Sequence, residues 1–374
     1  MADRVGIVGV GYEGFRPSIA DISTRELMFQ AASKAYLDAG VDPREEVGSF
    51  ICCTEDFWEG WSITDEMVPD QVGGARRPVC TVPGDGIMGM GHAIMQLRSG
   101  VAEVVAVEAH SKLADVLDKV AVENLSLDPV SLRVTGANYD VLAGLEMSAF
   151  QHRTGFGRDD CSMVVKNERE SALKSARASY GASLSLKEIA ESPPVSSPLL
   201  RFDKSEPAEA GVVVVLATER WIRRHRKDAV YVDGLAWRSS TPWVEGGELA
   251  KPRYAADCCA AALKQAGLRG RSSLDLVEAD DTYSFKLLEH LLAIGFEKRE
   301  VEDVLERGSP TLNPSGGSLG TGYLIEASGL HRVLECVLQL RGTAGASQVK
   351  AERALALSWR GYPTGTGAAA VLSA

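Results

Sequence analysis

The residues best suited to chemistry cluster in the second half of the chain. Asn313-Pro-Ser-Gly-Gly-Ser-Leu-Gly-Thr-Gly322 is dense in glycine, which lets backbone approach a ligand closely. Tyr323 follows it directly. A phenol with an ordinary pKa near ~10 is a poor base at neutral pH but a good positioned proton donor. A second stretch, Glu278-Ala-Asp-Asp-Thr-Tyr-Ser284, sets two adjacent carboxylates and a phenol, Tyr283, at a strand end. Side chains alternate there, so at most one of Asp280 and Asp281 faces a substrate while the other caps or binds backbone. Buried side by side, they would couple, and one pKa would rise toward that of a useful general base. A third stretch, Cys80-Thr-Val-Pro-Gly-Asp-Gly-Ile-Met88, turns into a helix that Asp85 is placed to cap.

The elements that must hold these residues follow a strand-then-helix grammar. Val5-Gly-Ile-Val-Gly-Val10 is a short β-branched run, and residues 24–40 follow with helical apolar spacing closed by Gly40. The pattern recurs with strands at 49–53 and 102–108 around a helix at 86–99, and Ala210–Leu216 reads as a buried strand. Residues 110–205 are polar and irregular, with helical pieces near 146–155 and 158–178 broken at Pro193-Pro194, and read as an inserted loop region. The grammar restarts after the basic segment Arg220–Lys227: strands at 231–235, 274–279, 354–358 and 368–372, with helices at 252–266 and 284–294. Two halves with similar element order, 1–225 and 226–374, suggest an internal duplication and parallel α/β layering.

Composition narrows the function classes. With 45% hydrophobic and 24% charged residues, the 374-residue chain can bury a large core and is neither disordered nor membrane-like. Its formal charge of −11 argues against nucleic acid as a ligand. Seven cysteines lack the two-residue spacing of a metal or redox motif, and no signal segment or ~20-residue apolar span is evident, so a cytoplasmic protein without metal is expected. Gly9-Val-Gly11 lacks the third glycine of a dinucleotide loop. The run Arg220–Lys227 reads as a solvated helix face, His92 as structural, and Phe57, Trp58, Trp61, Trp237 and Trp243 as core or interface aromatics.

Taken in order, these segments resemble the thiolase superfamily, most of all its sterol-carrier-protein type. The Asn313 loop is similar to that family's asparagine-x-x-glycine-glycine loop, and the helix after it ends in Leu340-Arg-Gly342. Pro198–Ser205 with Glu209–Val214, Phe156-Gly-Arg158 with Val164–Glu168, and Gly361-Tyr-Pro-Thr-Gly-Thr-Gly367 match further segments, so the likeness runs nearly end to end. It implies a five-layer αβαβα fold built from two duplicated halves with an inserted loop region. It also implies that Asn313, Ser315, Gly316, Gly317, Gly322 and Tyr362 bind the CoA thioester, with His152 lining the channel, and that the chain forms a homodimer.

The family's catalytic pattern is altered. Thiolysis needs a cysteine thiolate at a helix N-terminus, and the family interval places Pro83 there. Cys80 is either a displaced nucleophile or a core thiol. Tyr323 stands for the family histidine. Together these changes resemble the steroid side-chain-cleaving aldolases, which split a β-hydroxyacyl-CoA by a retro-aldol step. That resemblance implies Tyr323 paired with Asp280, Asp281 or Tyr283 as acid and base, no cofactor beyond the CoA thioester, and a small zinc-ribbon, oligonucleotide-fold-like partner that helps bind CoA. A thiolase with a relocated thiol and a catalytically silent subunit are the competing expectations.

Overall fold

The computed structural model describes residues 4–58, 61–225, 227–241 and 249–374. Among these residues eleven strands are formed: β1 (Val5–Arg16), β2 (Ser49–Cys53), β3 (Val79–Val82), β4 (Val104–Ser111), β5 (Pro194–Ser196), β6 (Leu199–Leu200), β7 (Glu209–Thr218), β8 (Val230–Ser239), β9 (Leu276–Ala279), β10 (Arg353–Trp359) and β11 (Thr366–Ser373). Nine of them join in the order β3-β2-β4-β7-β1-β8-β11-β10-β9, while β5 and β6 make a separate small hairpin. Among the described residues the two halves of the large sheet pair through Gly6 opposite Tyr231 and Ile7 opposite Val230.

Strand direction corrects the expectation of parallel layering. Only β2 with β3, β2 with β4 and β9 with β10 are parallel; the remaining pairs are antiparallel. The apolar runs at 210–216 and 368–372 are buried by helices on both faces, so they look like parallel-sheet strands in sequence although their neighbours run the other way. The pairing pattern repeats nonetheless. β2, β4, β7 and β1 are joined parallel, antiparallel, antiparallel, and so are β9, β10, β11 and β8.

Layering follows from what each sheet face buries. Helices Gly86–Ser99 and Ala327–Leu340 lie between the half-sheets and share one apolar core with both. Helix Thr24–Ala39, with Trp221 and Ile222 of helix Glu219–His225, covers the outer face of the first half. Helices Arg253–Gln265 and Ser284–Ile294 cover the second. The result is α, β, α, β, α.

The Gly9-Val-Gly11 run belongs to this packing. Gly11 sits mid-strand in β1, where a Cβ would stand 2.2 Å from the Ala35 backbone nitrogen, so glycine lets helix Thr24–Ala39 lie directly on the strand. Helices of the intervening region, Tyr139–Thr154 and Arg158–Ala172, pack against the second outer layer. Of the basic segment, Arg220 and Arg224 are solvated as expected and paired to Glu103. Among the described residues no helix is long and apolar enough to cross a membrane, and no group of His, Cys, Asp or Glu could hold a metal ion.

Candidate active site

The N-terminus of central helix Gly86–Ser99 is the first landmark. Asp85 caps it, accepting from the Ile87 backbone N–H at 2.9 Å and from the Ser358 hydroxyl at 2.7 Å. Gly329 of the other central helix approaches so closely that a Cβ there would lie 2.0 Å from the Asp85 carboxylate. Burial pushes the Asp85 pKa up to about 6, against the hydrogen bonds from Ser358 and Ile87. An unfolded aspartate titrates near ~4, so the folded chain holds this proton over a range where the unfolded chain has lost it. Stability from this group therefore declines as pH rises from about 4 to about 6. Asp85→Asn should remove that decline, flattening the thermal midpoint against pH over this window by the equivalent of about 2 kcal/mol.

Two residues before the cap, Pro83 faces solvent in a cavity of about 550 Å³. Thr54, Asp56, Trp58, Val122 and Tyr139 share its lining. A smaller chamber of about 20 Å³ adjoins it, because Tyr139 walls both and helix Lys119–Leu125 contributes Val122 to one and Glu123 to the other. This chamber gathers Tyr323, Tyr283, Tyr139 and Tyr362 with Lys119 and Glu123. The structure thus brings Tyr323, Tyr283 and Tyr362 together, with Pro83 at the entrance side.

Local backbone fixes Tyr323. Its N–H donates to the Glu206 carbonyl at 2.8 Å and its carbonyl accepts from Ala208 at 3.0 Å. Gly322 before it has φ +115°, and a Cβ there would meet that of Ala208 at 2.4 Å. The Tyr323 hydroxyl points at Gly361, where a Cβ would lie 3.3 Å from it. Burial, then the Glu326 carboxylate, raises the Tyr323 pKa well above the usual phenol range. Burial, then Asp140, does the same for Tyr283. Both phenols are therefore protonated at neutral pH and act as donors. The carboxylate of the chamber is Glu123, nearly buried and 3.2 Å from Lys119.

Asp280 and Asp281 lie elsewhere. Both are fully buried, and neither lines either chamber. Asp280 meets Arg332 at 2.9 Å and caps the Thr282 N–H at 3.0 Å. Burial would raise its pKa, but Arg332, His290 and the Thr282 bonds together lower it. Asp281 accepts the Ser318 and Leu319 N–H groups at 2.5 and 3.0 Å, and burial lifts it to about 6 despite Arg332. An arginine from the central helix, Arg332, meets both of them.

The glycine loop is likewise inward. Asn313 is fully buried and clasps Ala279 at the end of β9, accepting its N–H at 2.7 Å and donating to its carbonyl at 3.0 Å. Ser315 donates to Glu278 at 2.8 Å, a Cβ on Gly316 would strike Ala172, and one on Gly317 would strike Asp281. These glycines admit neighbouring backbone and carboxylate, so Asn313, Ser315, Gly316, Gly317 and Gly322 brace the site rather than line the chambers. His152 is exposed near the end of helix Tyr139–Thr154 and lines neither chamber.

Among the remaining candidates, Cys80 sits on β3 with its sulfur 3.9 Å from the Thr81 carbonyl, outside the chamber linings. His92 stacks on Trp237 at 5.7 Å, a packing role as expected. Trp58 is buried against Leu113 and Ile325, Phe57 is exposed, and Trp243 lies outside the described residues. Glu123, Lys119 and Tyr139 were not singled out in sequence, although Lys119 and Glu123 carry an i, i+4 signal.

Residues 244–374 match the family model described as thiolase C-terminal domain-like. An acetyl-CoA acetyltransferase of Methanothermobacter thermautotrophicus is 26% identical over 361 residues, covering 92% of this chain and 93% of that protein. Sterol carrier protein 2 of Gallus gallus is 24% identical, covering 94% of this chain and 69% of its own. The chain is thus thiolase-like in residues 244–374 by the family model and similar to thiolase-superfamily proteins over nearly its whole length. Its layered fold superposes on the solved "Ltp2-ChsH2(DUF35) aldolase" with a TM-score of 0.83 at 21% identity, covering 99% and 98% of the two chains. At that identity the superposition shows the fold alone.

Proposed function

We propose that this protein is a carbon–carbon lyase that cleaves a β-hydroxyacyl-CoA by a retro-aldol reaction. One observation carries the reading: the helix N-terminus that would activate a thiolate presents Pro83, while the adjoining chamber holds protonated Tyr323 and Tyr283 beside the carboxylate of Glu123. Glu123 takes the β-hydroxyl proton. The Cα–Cβ bond breaks, its electron pair passing to the thioester enolate as the β-carbon becomes a carbonyl. Tyr283 and Tyr323 donate hydrogen bonds to the enolate oxygen, and Tyr323 protonates Cα. Proton return from Glu123 to the Tyr323 phenolate closes the cycle, so no net proton is consumed.

A transferase reading draws support from the acetyl-CoA acetyltransferase relatives. It requires a thiol at the reacting carbon, and no cysteine is among the residues lining either chamber. Incubation of the purified protein with a β-hydroxyacyl-CoA separates the two. The lyase releases a carbonyl compound and a shortened acyl-CoA without added CoA. Turnover that needs free CoA and vanishes in Cys80→Ala would overturn the lyase and restore the transferase.

We further propose a cytoplasmic homodimer joined through the first half-sheet, where β3 is the edge strand, working with a small zinc-ribbon, oligonucleotide-fold-like partner. The two-component name of the solved aldolase and the exposed Leu117, Val130 and Val134 support the partner. The native mass of the complex isolated from its source checks both, since a lone monomer would defeat them.

A further inference from the structure

Behind the tyrosine chamber lies a second small cavity of about 60 Å³, and Tyr362 is part of the wall of each. On the far side, the Tyr362 hydroxyl donates to Glu146 Oε2. Glu146 is nearly buried, and its other oxygen meets Lys286 Nζ at 2.8 Å and the Ala250 N–H at 3.2 Å. Lys286 is 1% exposed and also meets Glu289 at 3.0 Å. Burial alone would strip its proton, but Glu146 and Glu289 outweigh burial and raise its pKa. A buried ammonium held by two carboxylates is costly to assemble, and removing one partner is costlier still, so it fixes what it touches.

The consequence reaches the chamber through rings. Tyr362 meets Trp359 edge-on at 4.8 Å and Tyr283 at 5.8 Å, and Lys286 Nζ lies 4.4 Å from the Trp359 ring centre. With its hydroxyl spent on Glu146, Tyr362 has no proton to give a substrate. Its ring, though, is the surface against which Tyr283 stands.

We propose that Tyr362 is a positioning residue, clamped by Glu146 and the buried Lys286 ion pairs, that sets the orientation of Tyr283 toward the substrate. The inference rests on the lyase reading for its kinetic consequence and on geometry alone for the clamp. Tyr362→Phe keeps the ring and frees it; kcat for β-hydroxyacyl-CoA cleavage falls about ten- to hundredfold, the cost of a misplaced reacting group, with KM within about twofold. Glu146→Leu, in which Lys286 keeps Glu289, matches that loss. Glu146→Gln, which still accepts from the phenol, loses less. The double variant Tyr362→Phe/Glu146→Leu is no worse than either single one, because both remove the same contact.

A ring-fluorinated tyrosine at position 362 reads the clamp without turnover: one resonance in the otherwise unaltered protein, shifted or split in Glu146→Leu. A wild-type protein that leaves β-hydroxyacyl-CoA intact while the resonance responds defeats the lyase reading and keeps the clamp. An unmoved resonance, or additive losses in the double variant, overturns the inference.

Discussion

Tyr323→Phe is expected to lower kcat for retro-aldol cleavage by roughly 10²–10⁴, the usual worth of a positioned general acid, while the protein folds and binds acyl-CoA. The substitution removes only a hydroxyl. Both backbone hydrogen bonds that hold residue 323, to Glu206 and from Ala208, survive. The ring keeps its place over Lys119, whose ammonium lies 5.7 Å from its centre. Among the described residues no side chain hydrogen-bonds to this hydroxyl, so its loss leaves no buried partner unsatisfied. Its direction toward Gly361 marks an open approach, since a side chain there would crowd the oxygen. Steady-state kinetics with a β-hydroxyacyl-CoA and calorimetric binding of a saturated analogue separate the outcomes. Binding intact with turnover lost identifies the acid; turnover within a few-fold of wild type removes Tyr323 from the reaction.

The layered fold was legible because its signals are local. Gly40 and Gly100 end their helices in left-handed conformation at φ 63° and 77°, and the short apolar runs became strands. Pro83 and Tyr323 were singled out through the resemblance, as the residues at the positions of the family's cysteine and histidine. Strand direction was not, because a strand buried on both faces carries the same residues whichever way its neighbour runs. The surroundings of Asp280, Asp281 and the glycine loop were not legible either. A pair of carboxylates in sequence does not disclose that its partner is Arg332, 50 or more residues away, nor that Gly317 is small because Asp281 needs the room. Glu123 stayed hidden for the opposite reason: on a seven-residue helix, a Lys-Glu pair looks like an ordinary surface contact until Tyr139 and Tyr323 close over it.

Arg332→Met should cost about 3–5 kcal/mol of stability, the penalty for leaving buried charges without their partner. Arg332 is the largest fully buried side chain. Its guanidinium meets Asp280 at 2.9 Å, Asp281 at 3.4 Å, the Ser318 hydroxyl at 2.9 Å and the Leu357 carbonyl at 3.1 Å. Methionine fills much of the volume and satisfies none of these. Asp280, now held low by Arg332 with help from His290 and the Thr282 bonds, would lose that counter-charge and climb. The variant should therefore regain stability as pH falls, whereas Asp280→Asn added to Arg332→Met should recover part of the loss at neutral pH; denaturant midpoints at two pH values test both. Activity should fall with stability, because the same guanidinium ties down both phenol-bearing segments. Asp280 and Asp281 follow β9 and lead into Tyr283, and Asp281 caps the helix Gly317–Thr321 that delivers Tyr323. If the folded variant, assayed in the cold, turned over normally, the two tyrosines would have to be placed by some other contact than the one this buried arginine makes.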